Sequence, residues 1–274
     1  MVEVLSMVNF DNQDRIDYLQ RSFKSFYKYN KIKKHIVIDG SKEMGRQQEI
    51  YEELNIEYYH QPISMAQRLK FGVSLMDNDY FVFLPDDYEW IFDFPTEEAI
   101  KEAKKNDIKE LKLVCPPMQW FSEKEPIVEK WYDEDFKLKQ VLVPTQSGNI
   151  LKRVFWDFHT WFTSGEQLVQ KDDLFISYRH YRRSFMQQFS LGCHIIETNF
   201  MKNLCVNMPD DLPSAGSVEK YVYKKLLFRP YLTAYYKMLT PAFHFIQLEV
   251  EGQEKAHIAS TNLIAQNYKY FQEN

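Results

Sequence analysis

The stretch Asn78–Trp90, NDYFVFLPDDYEW, decides the fold. Tyr80 to Leu84 is a continuous apolar, β-rich run, the pattern of a strand buried on both faces of a parallel sheet. It stops abruptly at Pro85, Asp86 and Asp87. In an open α/β sheet such strand ends face the crevice where ligands bind, so two adjacent carboxylates there mark a candidate site by position alone. Side by side they repel each other unless a cation neutralises them. Hard divalent ions such as Mg²⁺ or Mn²⁺ prefer carboxylate oxygen and bridge to phosphates. The plainer alternative is an Asp-rich turn closing a strand, since Pro and Asp are favoured turn residues. The surrounding chain has to choose between them.

Upstream, apolar runs and amphipathic runs alternate. Val2 to Phe10 is apolar and β-branched enough for a first strand, and Asp11 to Asp14 supply loop and helix-cap chemistry. Ile16, Leu19, Phe23, Phe26 and Tyr27 then recur at spacings of three and four, which gives a helix one apolar face. His35 to Ile38 reads as a buried strand ending in Asp39, Gly40 and Ser41; Glu43 to Leu54 as a polar outer helix; Ile56 to His60 as a short strand. Ser64 opens a helix carrying Ala66, Leu69, Val73, Leu75 and Met76, which feeds the strand at Tyr80. Alternation of this kind with short connections predicts an α/β fold built on a mainly parallel sheet with right-handed crossovers.

Downstream the pattern loosens. Thr96 to Asn106 is rich in helix formers, and Leu111 to Cys115 reads as a strand stopped by Pro116 and Pro117. Glu166 to Phe189 is expected to contain a helix opened by Lys171, Asp172 and Asp173, whose acids suit a helix N-terminus, and His194 to Thr198 a further strand. Asn207 to Ser217 is a Pro-, Gly- and Ser-rich loop in which the second PDD, Pro209 to Asp211, has turn chemistry. Residues 218–274 read as a helical C-terminal extension, interrupted by Pro230. The division that follows is a first domain over 1–206, with halves of about 1–115 and 116–206, then the 207–217 loop, then the extension over 218–274.

Composition excludes several classes. The 274 residues are 45% hydrophobic and 16% aromatic, too apolar for a disordered chain. A net charge of −5 and a pI near 5.9 argue against a nucleic-acid binder with a broad basic face. Cys115, Cys193 and Cys205 have no CxxC spacing and read as free thiols of a reducing compartment. No run approaches a membrane span and the N-terminus has no signal-peptide pattern, so a cytoplasmic protein is expected. The run Lys220–Leu239, KYVYKKLLFRPYLTAYYKML, packs on its own domain or a second subunit in one reading. In the other it is an amphipathic helix that meets the anionic inner face of a membrane.

Taken in order, these words resemble the glycosyltransferases of the GT-A fold, especially the inverting family 2 type. The resemblance runs from about Val2 to Thr198: VNFDNQDR after the first strand, IVIDGS after the second, LPDDYEW as a DXD-type motif, TQSGNILKRVFW later, and an acidic pair in QKDDLFISYRHYRRSF. It implies a nucleotide-sugar donor, most simply a UDP-sugar, and a carbohydrate or lipid-linked glycan acceptor, in surface polysaccharide or glycan synthesis. Asp39 would contact the uracil or ribose, with Asn9 and Asp86 on the donor; Asp87 and Asp86 would hold Mn²⁺ or Mg²⁺ on the diphosphate; Asp173 or Asp172 would be the base. Trp120 and Asn149, in the acceptor half, would bind the acceptor. Pro85 stands where the triplet has its first acid, and Tyr88 follows Asp87.

Residue chemistry suits those roles. A hydroxyl is a poor nucleophile that a carboxylate within hydrogen-bond reach activates, and a diphosphate leaving group needs its developing charge spread. Arg68, on the helix before the central strand, offers a planar fork that fits phosphate. Two rival readings remain: a nucleotidyltransferase of similar sheet, though VNFDNQDR lacks its Gly-rich basic phosphate loop, and a non-catalytic sugar-nucleotide or glycan-binding module.

Overall fold

The computed structural model describes residues 1–10, 16–90, 93–113, 168–177, 189, 191–226, 232–236 and 242–244. The upstream half folds in the order its pattern predicts: β1 (Val2–Val8), α1 (Ile16–Tyr29), β2 (Ile32–Asp39), α2 (Arg46–Glu53), β3 (Glu57–His60), α3 (Met65–Ser74) and β4 (Tyr80–Phe83). After the acidic turn come β5 (Tyr88–Trp90), α4 (Thr96–Lys105), β6 (Glu110–Lys112), β7 (Leu168–Lys171), β8 (Leu174–Ser177), β9 (His194–Glu197), α5 (Thr198–Cys205), α6 (Ala215–Leu226), β10 (Thr233–Tyr236) and β11 (Ala242–His244).

Nine strands form one mixed sheet in the order β3-β2-β1-β4-β9-β6-β10-β8-β7. The first four are parallel, and β9 enters antiparallel between β4 and β6. All seven residues of β1 and all four of β4 are buried, and apart from Glu3 and Ser6 of β1 they are apolar or aromatic, because both faces are covered. Along β1 the side chains alternate between two cores. Val2, Val4 and Val8 join Leu19, Phe23 and Phe26 of α1 and Ala99 and Ala103 of α4 on one face. Leu5 and Met7 join Leu69 of α3, Met201 of α5 and Val218 of α6 on the other. The period of two thus places His35, Val37 and Asp39 of β2 on the α1 side together with Ser6.

Two downstream segments differ from their sequence reading. Lys171, Asp172 and Asp173 do not open a helix: Asp172 and Asp173 form the two-residue loop of the β7–β8 hairpin, with Asp172 at φ 52. A short acid at a positive φ is a turn solution rather than a helix start. The second difference lies in the C-terminal extension, which is helical over α6 and then returns to the sheet. Thr233–Tyr236 is fully buried between β6 and β8, and Ala242–His244 pairs with β5. Burial of Ala234, Tyr235 and Tyr236 between two strands outweighs the helical period of the preceding run. The Pro209–Asp211 segment is a turn, as read, tied to α3 by the Lys70–Asp210 ion pair at 2.5 Å. Among the described residues no helix is long and apolar enough to cross a membrane, and Cys193 and Cys205 are free and buried.

Candidate functional site

The C-terminal ends of β1, β2 and β4 make one rim. The parallel register sets Val8 beside Asp39, and the Gly40 amide donates to the Val8 carbonyl at 2.8 Å. Asp39 is fully buried. Its Oδ1 accepts from the Ser41 amide at 2.8 Å and its Oδ2 from the Tyr51 hydroxyl at 2.9 Å. Tyr51 comes from α2, and its pKa is raised first by burial and then by the Asp39 charge, so it stays a protonated donor. Ser41 also turns its Oγ to the Phe10 amide at 2.9 Å, joining the loop after β2 to the one after β1.

Arg68 reaches this rim from the opposite helix layer. Ser64 caps α3 by accepting from the Gln67 amide, which starts the helix so that Arg68 lies in its first turn and points back over the strand ends. The Arg68 side chain is buried at 4% exposure, and its Nη1 donates to the Val8 carbonyl at 2.8 Å. Burial lowers its pKa while the nearby Asp39 charge pulls the other way. Its Nε finds no hydrogen-bond partner among the described residues. A buried cationic donor with a spare N–H is what an anionic or carbonyl-bearing ligand would meet.

The acidic turn completes the rim. Asp86 is buried and Asp87 half-buried. The Tyr51 hydroxyl feels the Asp86 charge, whereas Asp87 acts on Tyr88 and on Cys193. Asp86 therefore lies toward Asp39 and Asp87 toward β9. The Tyr51 hydroxyl thus bonds to Asp39 and feels the Asp86 charge, while Arg68 feels that of Asp39. The oxygen donors of Asp86 and Asp87 suit a hard divalent ion whose shell is completed by phosphate oxygens. Among the described residues no three His, Cys, Asp or Glu side chains gather as a ready-made metal centre.

The structure thus brings Asp39, Arg68 and Asp86 together, with Asp87 beside them and Asn9 exposed one residue past β1. Asp172 and Asp173 stand apart. Asp172 pairs with Lys105 at the end of α4 at 2.9 Å, and Asp173 accepts from the Tyr236 hydroxyl at 3.2 Å. Their strand β8 is the fourth beyond β4, about 19 Å along the sheet at the usual strand spacing. Trp120 and Asn149 lie outside the described residues. Sequence reasoning missed Tyr51 and Gly40. The only hint of Tyr51 was an aromatic on an otherwise polar helix, and Gly40's tight approach to Arg68 had no linear signal.

No family model and no curated protein matches the sequence. Solved structures do. S. aureus TarS residues 1-349 in complex with UDP aligns with a TM-score of 0.52 at 10% identity, covering 99% of this chain and 72% of that one. A longer S. aureus TarS structure aligns with a TM-score of 0.51 at 12% identity, covering 99% of this chain and 43% of that one. At such identities the likeness is one of fold. The chain accordingly has a GT-A-like α/β fold, a mixed and mostly parallel sheet flanked by helices, in common with TarS.

Proposed function

We propose that this protein is a glycosyltransferase that takes a sugar from a nucleotide-sugar donor, a UDP-sugar in the simplest case, and passes it to an acceptor hydroxyl. The observation that carries the reading is the rim itself: a buried Arg68 that bonds to the Val8 carbonyl and has no partner for its Nε among the described residues, at the strand ends that also carry Asp39 and the Asp86–Asp87 turn. The fold likeness to a UDP-bound protein agrees with it.

In this reading Arg68 binds the donor's nucleotide or phosphate end, and Asp39 and Tyr51 hold Arg68 in place. Asn9, exposed at the end of β1, meets the nucleoside. Asp87 and Asp86 would hold a divalent cation, Mn²⁺ or Mg²⁺, which when bound supplies Lewis-acid neutralisation of the diphosphate. An inverting transfer, with the acceptor on a carbohydrate or lipid-linked glycan in surface-glycan synthesis, is the finer form of the proposal. It requires an acceptor-side base on the sugar face opposite the diphosphate.

A thermal-shift panel of nucleotide-sugars and UDP, with and without Mn²⁺, tests the reading, because a ligand that binds the folded state raises its melting temperature. UDP-sugars should raise it in Mn²⁺, and UDP should be released when acceptors are supplied. Binding without turnover would favour a sugar-nucleotide-binding module. Pyrophosphate release from a nucleoside triphosphate would favour a nucleotidyltransferase. No shift with any of these ligands would reject the proposal.

A further inference from the structure

Two consecutive carbonyls of the acidic turn are held from below by hydroxyls. Ser6 Oγ, in the middle of β1, donates to the Leu84 carbonyl at 2.5 Å, and Ser22 Oγ, on α1, donates to the Pro85 carbonyl at 3.0 Å. Both serines are fully buried. The chain leaves the sheet here: the Leu84 amide still bonds to Leu5, but Pro85 has no N–H to continue the ladder.

Behind Ser6 the line continues inward. Ser6 Oγ lies 2.9 Å from His35 Nε2, and His35 Nδ1 lies 3.2 Å from the Tyr27 hydroxyl. The single hydroxyl proton of Ser6 goes to Leu84, so Ser6 accepts from His35 and Nε2 carries the ring proton. Nδ1 is then the acceptor for Tyr27, and every donor in the line has one acceptor. The edge of Phe23, with ring centroids 4.7 Å apart, closes the side of the imidazole. A buried hydroxyl and a buried imidazole are costly on a face where the neighbouring β1 positions are Val4 and Val8. Apolar residues would pack there without that cost, but they could not hold a carbonyl in a fixed direction.

We propose that Ser6, oriented by His35 and Tyr27, is a positioning residue for the Asp86–Asp87 turn: the line fixes the backbone that presents both carboxylates to a metal-bound diphosphate. This inference rests on the donor-binding reading above and adds to it residues that never touch the donor. It predicts an effect on nucleotide affinity out of proportion to the effect on folding.

The test is UDP affinity in saturating Mn²⁺, by calorimetry, with melting temperatures measured in parallel. Ser6→Ala should weaken UDP binding roughly fivefold to tenfold, the loss of about one oriented hydrogen bond. Ser6→Thr, which keeps the hydroxyl, should recover most of it. Val218→Ala, a buried change on α6 away from the turn, should lower the melting temperature and leave UDP affinity unchanged. Should Ser6→Ala fail to fold, Tyr27→Phe removes only the outer hydroxyl of the line and should weaken UDP roughly threefold. Wild-type affinity in the folded serine or tyrosine variant, or an equal loss in Val218→Ala, overturns the positioning role alone. A wild-type protein that ignores UDP overturns the donor reading and the inference together.

Discussion

The guanidinium of Arg68 lies directly over Gly40: a Cβ built on that glycine would come within 2.1 Å of Nη1 and 2.2 Å of Cζ. No side chain can occupy position 40 while Arg68 keeps its bond to Val8. Gly40→Ala should therefore eject the guanidinium and weaken UDP binding by as much as Arg68→Ala does. The double variant should be no worse than either single one, since both remove the same contact. Additive losses in titration would show that the glycine acts independently of Arg68.

The Asp39 charge acts on that buried guanidinium. Asp39 accepts from the Ser41 amide and the Tyr51 hydroxyl, and leaving buried donors unsatisfied costs about 1–3 kcal/mol. Asp39→Asn should lose stability of that order in urea denaturation, and Asp39→Asn combined with Arg68→Met should recover part of it. A single variant as stable as wild type would mean that Asp39 contributes little to folding.

The rim was legible in the sequence where a buried strand delivers polar residues at its end, because that pattern is local: IVIDGS and LPDDYEW each carry their strand and their acids within a few residues. What was not legible depends on contacts across the chain. Ser6 reads as one of two polar letters in an otherwise apolar strand, and only the pairing of β1 with β4 gives it Leu84 to hold. Tyr51 gains meaning only when α2 folds back over Asp39. The hairpin at Asp172 did have a local signal, two short apolar runs separated by two residues, but the acids also fit a helix start. Thr233–Tyr236 shares its aromatic character with the helix before it, and its place between β6 and β8 is set by strands distant in sequence.

Two buried histidines set the response to acid. Burial lowers the His35 pKa to about 3, and burial followed by the Lys112 charge holds His194 well below its ordinary value. In the unfolded chain both return to about 6.5, so the unfolded state binds protons that the folded state refuses. Their contribution is complete above about pH 6.5 and is lost as the pH falls toward the folded values. Denaturation curves should show stability dropping between pH 6.5 and 5, with His35 alone contributing a gradient approaching one proton. His35→Gln should reduce that gradient by about one proton while lowering stability at pH 7. A wild-type profile that stays flat across the window would contradict the burial of these rings.

The hairpin acids offer a separate test of how transfer is organised. Asp172 is engaged by Lys105, which lowers its pKa and makes it a weaker proton acceptor. Asp173 faces Tyr236, itself packed edge-on against Phe94 near the start of α4. Their hairpin joins the sheet at β8, about 19 Å along it from β4, which leads into the Asp86–Asp87 turn. Asp172→Ala should leave the melting temperature close to that of wild type, as the loss of an exposed ion pair does, and Asp173→Ala should keep both UDP binding and transfer. Asp87→Ala, by contrast, should lose Mn²⁺-dependent UDP binding. If Asp173→Ala binds UDP normally yet transfers no sugar, Asp173 is the base after all, and the hairpin must approach the rim during turnover.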